Sequence, residues 1–187
     1  MEPWKTLSRH EDYRHSKWVT VEDHTLLLPD GKKIDHWPWI ISPDYVNIAV
    51  VTSDGKFLCF RQTKYAIDGV SLAPIGGYID PGEVPLEAAR RELDEETGYA
   101  VEEWKELGSY AVDGNHGAGR AHLFLALNAR KKRDVVSDDL EEQELVFLGE
   151  NELRGALMRG EFKVLSWCAV MSLALQSLER RGKTTQE

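Results

Sequence analysis

A chain of 187 residues that is 42% hydrophobic has the length for one domain with a full core plus an extension at one end. Its net charge of −9 argues against a nucleic-acid backbone as partner, and its two separated cysteines supply neither a disulfide framework nor a zinc pattern. No apolar run is long enough to span a membrane, and the polar start (MEPWKTLSRHEDYRHSK) lacks the apolar stretch of a signal peptide, so a cytoplasmic protein is expected.

Trp18–Val21 and Thr25–Leu28 read as strands, and Pro29-Asp30-Gly31 turns the chain into Lys33–Trp37. Trp37 and Trp39, on either side of Pro38, can sandwich a flat base or serve as interface hydrophobes; residue types alone leave both open. Val46–Val51 and Phe57–Phe60 form two strands about Ser53-Asp54-Gly55. Cys59 and Cys168 lie in apolar runs, where buried thiols are ordinary. A glycine-rich stretch follows, with Pro74-Ile75-Gly76-Gly77 and Asp80-Pro81-Gly82 allowing tight turns and close approach of a ligand. Val84–Thr97 then has helical spacing: Pro85 suits the first turn, Leu86, Ala89 and Leu93 mark the buried stripe, and Gly98 suits the left-handed cap. Strands at Trp104–Tyr110 and Ala121–Leu127 bracket a loop whose Asn115, His116 and Arg120 can contact a ligand or be satisfied locally. A basic turn at Ala129–Arg133 and an acidic run at Asp138–Glu144 lead into a strand at Glu144–Leu148. Helices at Glu150–Met158 and Val164–Leu178 close the chain, which is expected to fray from Arg180.

The chemistry concentrates between Gly77 and Tyr99. On the helix Glu92, Glu95 and Glu96 stand at i, i+3 and i+4, so their carboxylates share one face at Cβ spacings of about 5–6 Å. Three like charges repel, and near a helix C-terminus the macrodipole opposes them too. A hard divalent cation removes the conflict, because Mg²⁺ takes carboxylate oxygens and keeps positions open for phosphate. Taken alone such a face is more often merely solvated; the glycine-rich loop in front of it is what favours a metal site.

Gly77, Glu83, Arg91-Glu92-Leu93, Glu95-Glu96 and Gly98, in that spacing, resemble the Nudix box, with Tyr99 in place of the usual closing aliphatic. The resemblance covers roughly residues 47–178 and implies an α/β fold, an α/β/α sandwich around a mixed sheet, preceded by a β arm. It divides the chain into an arm at 1–42, a Nudix domain at 43–180 and a disordered tail at 181–187. It also implies that Glu92, Glu95, Glu96 and the carbonyl of Gly76 bind Mg²⁺, with Mn²⁺ as an alternative. Glu83 and Arg91 would form a bracing ion pair, with Arg91 on the side of the helix away from the ligands. Related enzymes recruit a further acid from a later loop, which nominates Glu141 and Glu142, and then Glu144, beside Glu95 as catalytic groups.

The arm and the block GRAHLFLA are similar to the ADP-ribose and nucleoside-diphosphate-sugar hydrolases, whose arm exchanges between the subunits of a homodimer; a hairpin packed on its own domain is the alternative. Arg61 and Lys64 stand where that branch contacts phosphate, in altered order. Gly114 and Asn115 replace its Pro, a departure that bears on specificity for ADP-ribose and not on the metal chemistry. The function implied is metal-dependent hydrolysis of a small nucleoside diphosphate linked to a sugar. A triphosphate or dinucleoside polyphosphate hydrolase, and a silent nucleotide sensor, are the rivals.

Overall fold

The computed structural model describes residues 1–135 and 142–184, with side chains as far as Arg181. The described residues form two compact units, one from Met1–Asp44 and Tyr110–Ala121, the other from Tyr45–Ser109 and from His122 onward.

The first unit is built on three consecutive antiparallel strands, β1 (Lys5–His15), β2 (Val19–Leu27) and β3 (Lys33–Ile41). Sequence reading splits β2 into two strands because Glu22-Asp23-His24 breaks the apolar pattern. The polar residues stay in the ladder because each finds a partner. Glu22 meets His24 at 2.8 Å, and Asp23 accepts from the Trp37 amide at 3.0 Å and meets the His36 ring at 2.6 Å. The turn at Pro29-Asp30-Gly31 forms as expected, closed by the Gly31 amide on the Leu28 carbonyl. β1 was not foreseen: every residue in it is exposed, so it has no apolar alternation to read, and its ladder to β2 is what holds it. Bulges interrupt β1 between Thr6 and Ser8 and between Glu11 and Tyr13, and another shifts the β2–β3 register between His24 and Leu26. The first bulge brings Thr6 and Arg9, three apart, opposite Leu26 and His24, two apart, and so onto one face.

Parts of two long strands, β8 (Glu103–Asp113) and β9 (Gly117–Lys131), complete this unit, and Ile40 of β3 pairs in parallel with Gly117.

In the second unit β4 (Tyr45–Thr52), β5 (Phe57–Gln62) and β10 (Gln143–Leu148) lie in the order β9-β4-β5-β10. Short strands β6 (Ser71–Ala73) and β7 (Tyr99–Ala100) pair with β5 and β9. β9 continues into the residues read as a basic turn, as far as Lys131, because Tyr99 and Ala100 pair with Lys131 and Arg130. β4 is buried along nearly its whole length, as a strand covered on both faces must be. Helix α1 (Pro85–Thr97) and helix α3 (Leu165–Thr184) both pack on it, with α2 (Glu150–Met158) beside α3. This is the α/β/α sandwich with a mixed sheet. Ala88, Ala89 and Leu93 of α1 join Val46, Ile48 and Val50 of β4 in one core cluster. α3 runs past Arg180 to Thr184, and Arg181 donates to Glu103 at 2.6 and 3.2 Å. Burial pushes the Cys59 thiol up to about 12, and Cys168 donates to the Phe162 carbonyl.

Leu93 is 1% exposed beneath α1, so Leu93→Ala is expected to cost about 2–5 kcal/mol in urea unfolding, from lost transfer energy and an unfilled cavity. The hydrogen bond to Asp23 raises the pKa of His36, and the same bond lowers that of Asp23. The imidazole's contribution to stability is therefore complete below the ordinary His value of about 6.5 and is lost as pH rises through the raised one. The carboxylate's contribution is present above its ordinary value and is lost as pH falls through the depressed one. An NMR titration should place the His36 midpoint above about 6.5 and lower it toward that value in Asp23→Asn.

Candidate active site

Helix α1 is anchored from the loop that precedes it. Glu83 accepts the Asp80 amide at 3.0 Å while its own amide donates to the Asp80 carbonyl at 2.9 Å, closing a turn just ahead of Pro85. At the other end Gly98 takes a left-handed conformation (φ 69°) and returns its amide to the Asp94 carbonyl. The three glutamates are fixed between these ends.

Arg91 organises the loop and the acidic face together. Its guanidinium grips both oxygens of Glu83 at 3.0 and 2.9 Å and donates to the Tyr78 carbonyl at 3.0 Å. It also reaches Glu92 at 2.8 Å and Glu95 at 3.2 Å. The expectation that Arg91 lies away from the glutamates is therefore corrected. It is adjacent to Glu92 and four residues before Glu95, so its Cα already flanks the acidic face, and a long cationic side chain is drawn onto it. The Glu83–Arg91 ion pair itself is present.

The carboxylates differ in environment. Arg91 holds the Glu83 carboxyl below its ordinary value, with the Asp80 amide helping. Glu92, only 13% exposed, is pushed up by burial despite Arg91, whereas Glu95 is 59% exposed. Glu96 turns inward and accepts the Gly76 amide at 3.1 Å. The two loop glycines are required by close approach. A Cβ on Gly76 would stand 2.1 Å from the Val46 carbonyl oxygen, and one on Gly77 would stand 2.3 Å from a Glu92 oxygen.

The donor set fits a hard divalent cation: carboxylate oxygens on one helix face, one of them desolvated, beside a loop without side chains. Among the described residues no three acidic, His or Cys side chains converge closely enough to close around an ion as they stand. Glu92 and Glu95 are turned to Arg91 and Glu96 to the loop, so closing around an ion would require them to swing from these partners.

The first unit gathers a second group. A cavity of about 410 Å³ is lined by Trp37 and Trp39 from β3, His24 and Leu26 from β2, and Gly114 and Asn115 from the turn after β8. Trp4, Thr6 and Arg9 complete it from in and before β1. Trp37 donates its indole N–H to the Asn115 carbonyl at 2.9 Å and stacks on the His116 ring, centroids 5.8 Å apart. Asp113 shapes the turn by accepting the Asn115 and His116 amides at 2.7 and 3.0 Å; these bonds, led by the Asn115 amide, hold its carboxyl below the ordinary value.

The structure thus brings Gly76, Glu83, Arg91, Glu92, Glu95 and Glu96 together in one unit, and Trp37, Trp39, Asn115 and His116 in the other. Arg120 belongs to the latter unit, its amide on Asp44 at 2.9 Å. Arg61 faces Glu144 across β5 and β10 at 3.4 Å, and Lys64 is half-buried in the loop after β5. Glu142 is exposed just before β10, and Glu141 lies outside the described residues. Sequence reading missed Trp4, Arg9 and His24, because only the bulged register of β1 and β2 brings them to one cavity.

A model of the NUDIX domain matches residues 42–185. The chain belongs to the NUDIX family. It is a Nudix pyrophosphohydrolase, and members of this family generally use divalent metals. The Nudix chain is 31% identical to a methanol dehydrogenase activator of Bacillus methanolicus over 139 residues, 74% of each protein. It is 25% identical to an ADP-ribose pyrophosphatase of Bacillus subtilis over 177 residues, covering 94% of this chain and 92% of that one. A CMP-5'-(N-acetyl-N-hydroxy-3-aminopropyl)phosphonate hydrolase of Streptomyces rubellomurinus is 29% identical over 181 residues, 92% of this chain and 82% of that one. A solved ADP compounds hydrolase superposes with a TM-score of 0.81 over 97% of both chains; at 21% identity this speaks to the fold.

Gly77→Ala tests the cradle around Glu92. The added methyl meets the movable end of a side chain, so the thermal midpoint should change little. The displaced carboxylate should lower turnover by about a hundredfold. Unchanged turnover would show that Glu92's position in the loop does not matter to the reaction.

Proposed function

We propose that this Nudix enzyme hydrolyses the pyrophosphate bond of a nucleoside diphosphate linked to a sugar, of the ADP-ribose or ADP-sugar kind, with Mg²⁺, giving a nucleoside monophosphate and a sugar phosphate. The observation that carries this reading is the acidic face of α1 set against the Gly76-Gly77 loop. The names of two relatives, an ADP-ribose pyrophosphatase and a cytidylyl phosphonate hydrolase, favour a nucleotide joined to a second group. The aromatic cavity of the first unit has room and chemistry for a base.

Glu92, Glu95, Glu96 and the Gly76 carbonyl would hold Mg²⁺, or Mn²⁺ in its place. When bound, such a cation neutralises pyrophosphate charge and acidifies a water. The chain's own residues do the rest. Arg91 keeps the loop and helix in register through Glu83 and partly offsets the acidic face until the carboxylates are engaged. Glu95, with its exposed carboxylate, and Glu141 or Glu142 are the groups assigned to accept a proton from the attacking water. Trp37 and Trp39 hold the base, Asn115, His116 and Arg120 meet the sugar or phosphate, and Arg61 and Lys64 add positive charge. The working form is a cytoplasmic homodimer with an exchanged arm, a reading supported by the exposed Leu7, Tyr13 and Trp18 in and after β1.

The test is turnover with Mg²⁺ over ADP-ribose, ADP-glucose, UDP-glucose, GDP-mannose, diadenosine polyphosphates and nucleoside triphosphates. ADP-sugars should be preferred, and Glu96→Gln should lower kcat by about a hundredfold or more. Turnover confined to triphosphates or polyphosphates would overturn the substrate class. Tight nucleotide binding without turnover would make the chain a sensor.

A further inference from the structure

The first unit contains one arrangement twice. Glu22 meets Nε2 of His24 at 2.8 Å, and the His24 ring lies parallel to the Trp39 indole, centroids 5.5 Å apart and planes 18° apart. Asp113 meets Nδ1 of His116 at 3.0 Å, and the His116 ring lies parallel to the Trp37 indole, centroids 5.8 Å apart and planes 14° apart. In each case an acid fixes an imidazole, and the imidazole backs an indole that lines the cavity.

The two arrangements come from different local structures. Glu22 and His24 are two apart on β2 and so share a face, which also places His24 at the cavity floor with 4% exposure. Asp113 and His116 belong to a turn, where the same carboxylate accepts two backbone amides. Packing alone would be satisfied by an apolar residue behind each indole. A polar ring held by a carboxylate instead has one rotational setting, and it passes that setting to the ring stacked on it. Fixing a ring before the ligand arrives removes an ordering cost from binding.

We propose that Glu22 and Asp113 are positioning residues, which act through His24 and His116 to set the planes of Trp39 and Trp37 for a flat ring of the substrate. The inference rests on the functional reading above, in which this cavity takes the nucleotide's base. Neither acid touches the substrate; each acts through an imidazole and then an indole.

The variants are Glu22→Met and Asp113→Ala. Neither new side chain can hold an imidazole by a hydrogen bond in either tautomer, and Glu22→Met also leaves the turn's amides untouched. ADP-ribose is titrated in EDTA, where no turnover occurs, and binding is followed by indole fluorescence; steady-state rates are then measured with Mg²⁺. Each variant should weaken binding and raise KM by about tenfold, with kcat within about twofold of the parent. The variants break independent links, so either alone decides the matter if the other fails to fold. If the parent binds ADP-ribose and the folded variants bind it within about twofold as well, or lose kcat at constant KM, the positioning role is overturned and the functional reading stands. If the parent neither binds nor hydrolyses ADP-ribose or ADP-glucose, the functional reading fails and the proposal falls with it.

Discussion

One guanidinium ties helix α1 to the loop that precedes it. Arg91 holds both oxygens of Glu83 and the Tyr78 carbonyl on the loop, and Glu92 and Glu95 on its own helix. A planar fork of donors can make these contacts at once, which a lysine ammonium could not. Without it the loop would lose its charged link to α1, and the half-buried acidic face would lose the cation beside it. The consequence is a balance: the group that makes the acidic face tolerable is also one from which Glu92 and Glu95 would have to be drawn to meet a cation.

The second constraint is steric. Gly76 and Gly77 let the loop lie against β4 and against Glu92 at distances no side chain would permit, and the Gly76 amide binds Glu96. Loop, helix and strand are therefore fixed relative to one another by contacts only a few ångströms long. The core beneath, where Leu93 packs among Val46, Ile48 and Val50, supplies the rigidity that such close fitting needs.

What could be read from the residues followed their periodicity. α1 was legible because Leu86, Ala89 and Leu93 keep helical spacing between Pro85 and Gly98, and β4 because an apolar run broken only by Asn47 leads into the turn at Ser53-Asp54-Gly55. The acidic face was legible from spacing alone, but the direction of Arg91 was not, since a long side chain is aimed by its partners and not by its Cα. β1 was invisible because its residues are polar and exposed. β2 was cut in two because Glu22-Asp23-His24 interrupts the apolar pattern, and the partners that keep them in the ladder, His24 for Glu22 and His36 for Asp23, do not show in periodicity. Trp37 and Trp39 were noticed as aromatic residues, while Trp4, Arg9 and His24 escaped notice because their meeting depends on register. Glu141, nominated as a catalytic group, lies outside the described residues.

That register has a consequence for how such an arm can vary. Between Thr6 and Arg9 the bulge inserts one residue while both flanking side chains stay on the cavity face. A strand one residue shorter at that point would pair in an unbroken ladder and present the same two side chains. The length of this stretch is therefore uncoupled from its facing, and the arm can gain or lose a residue there without turning itself inside out.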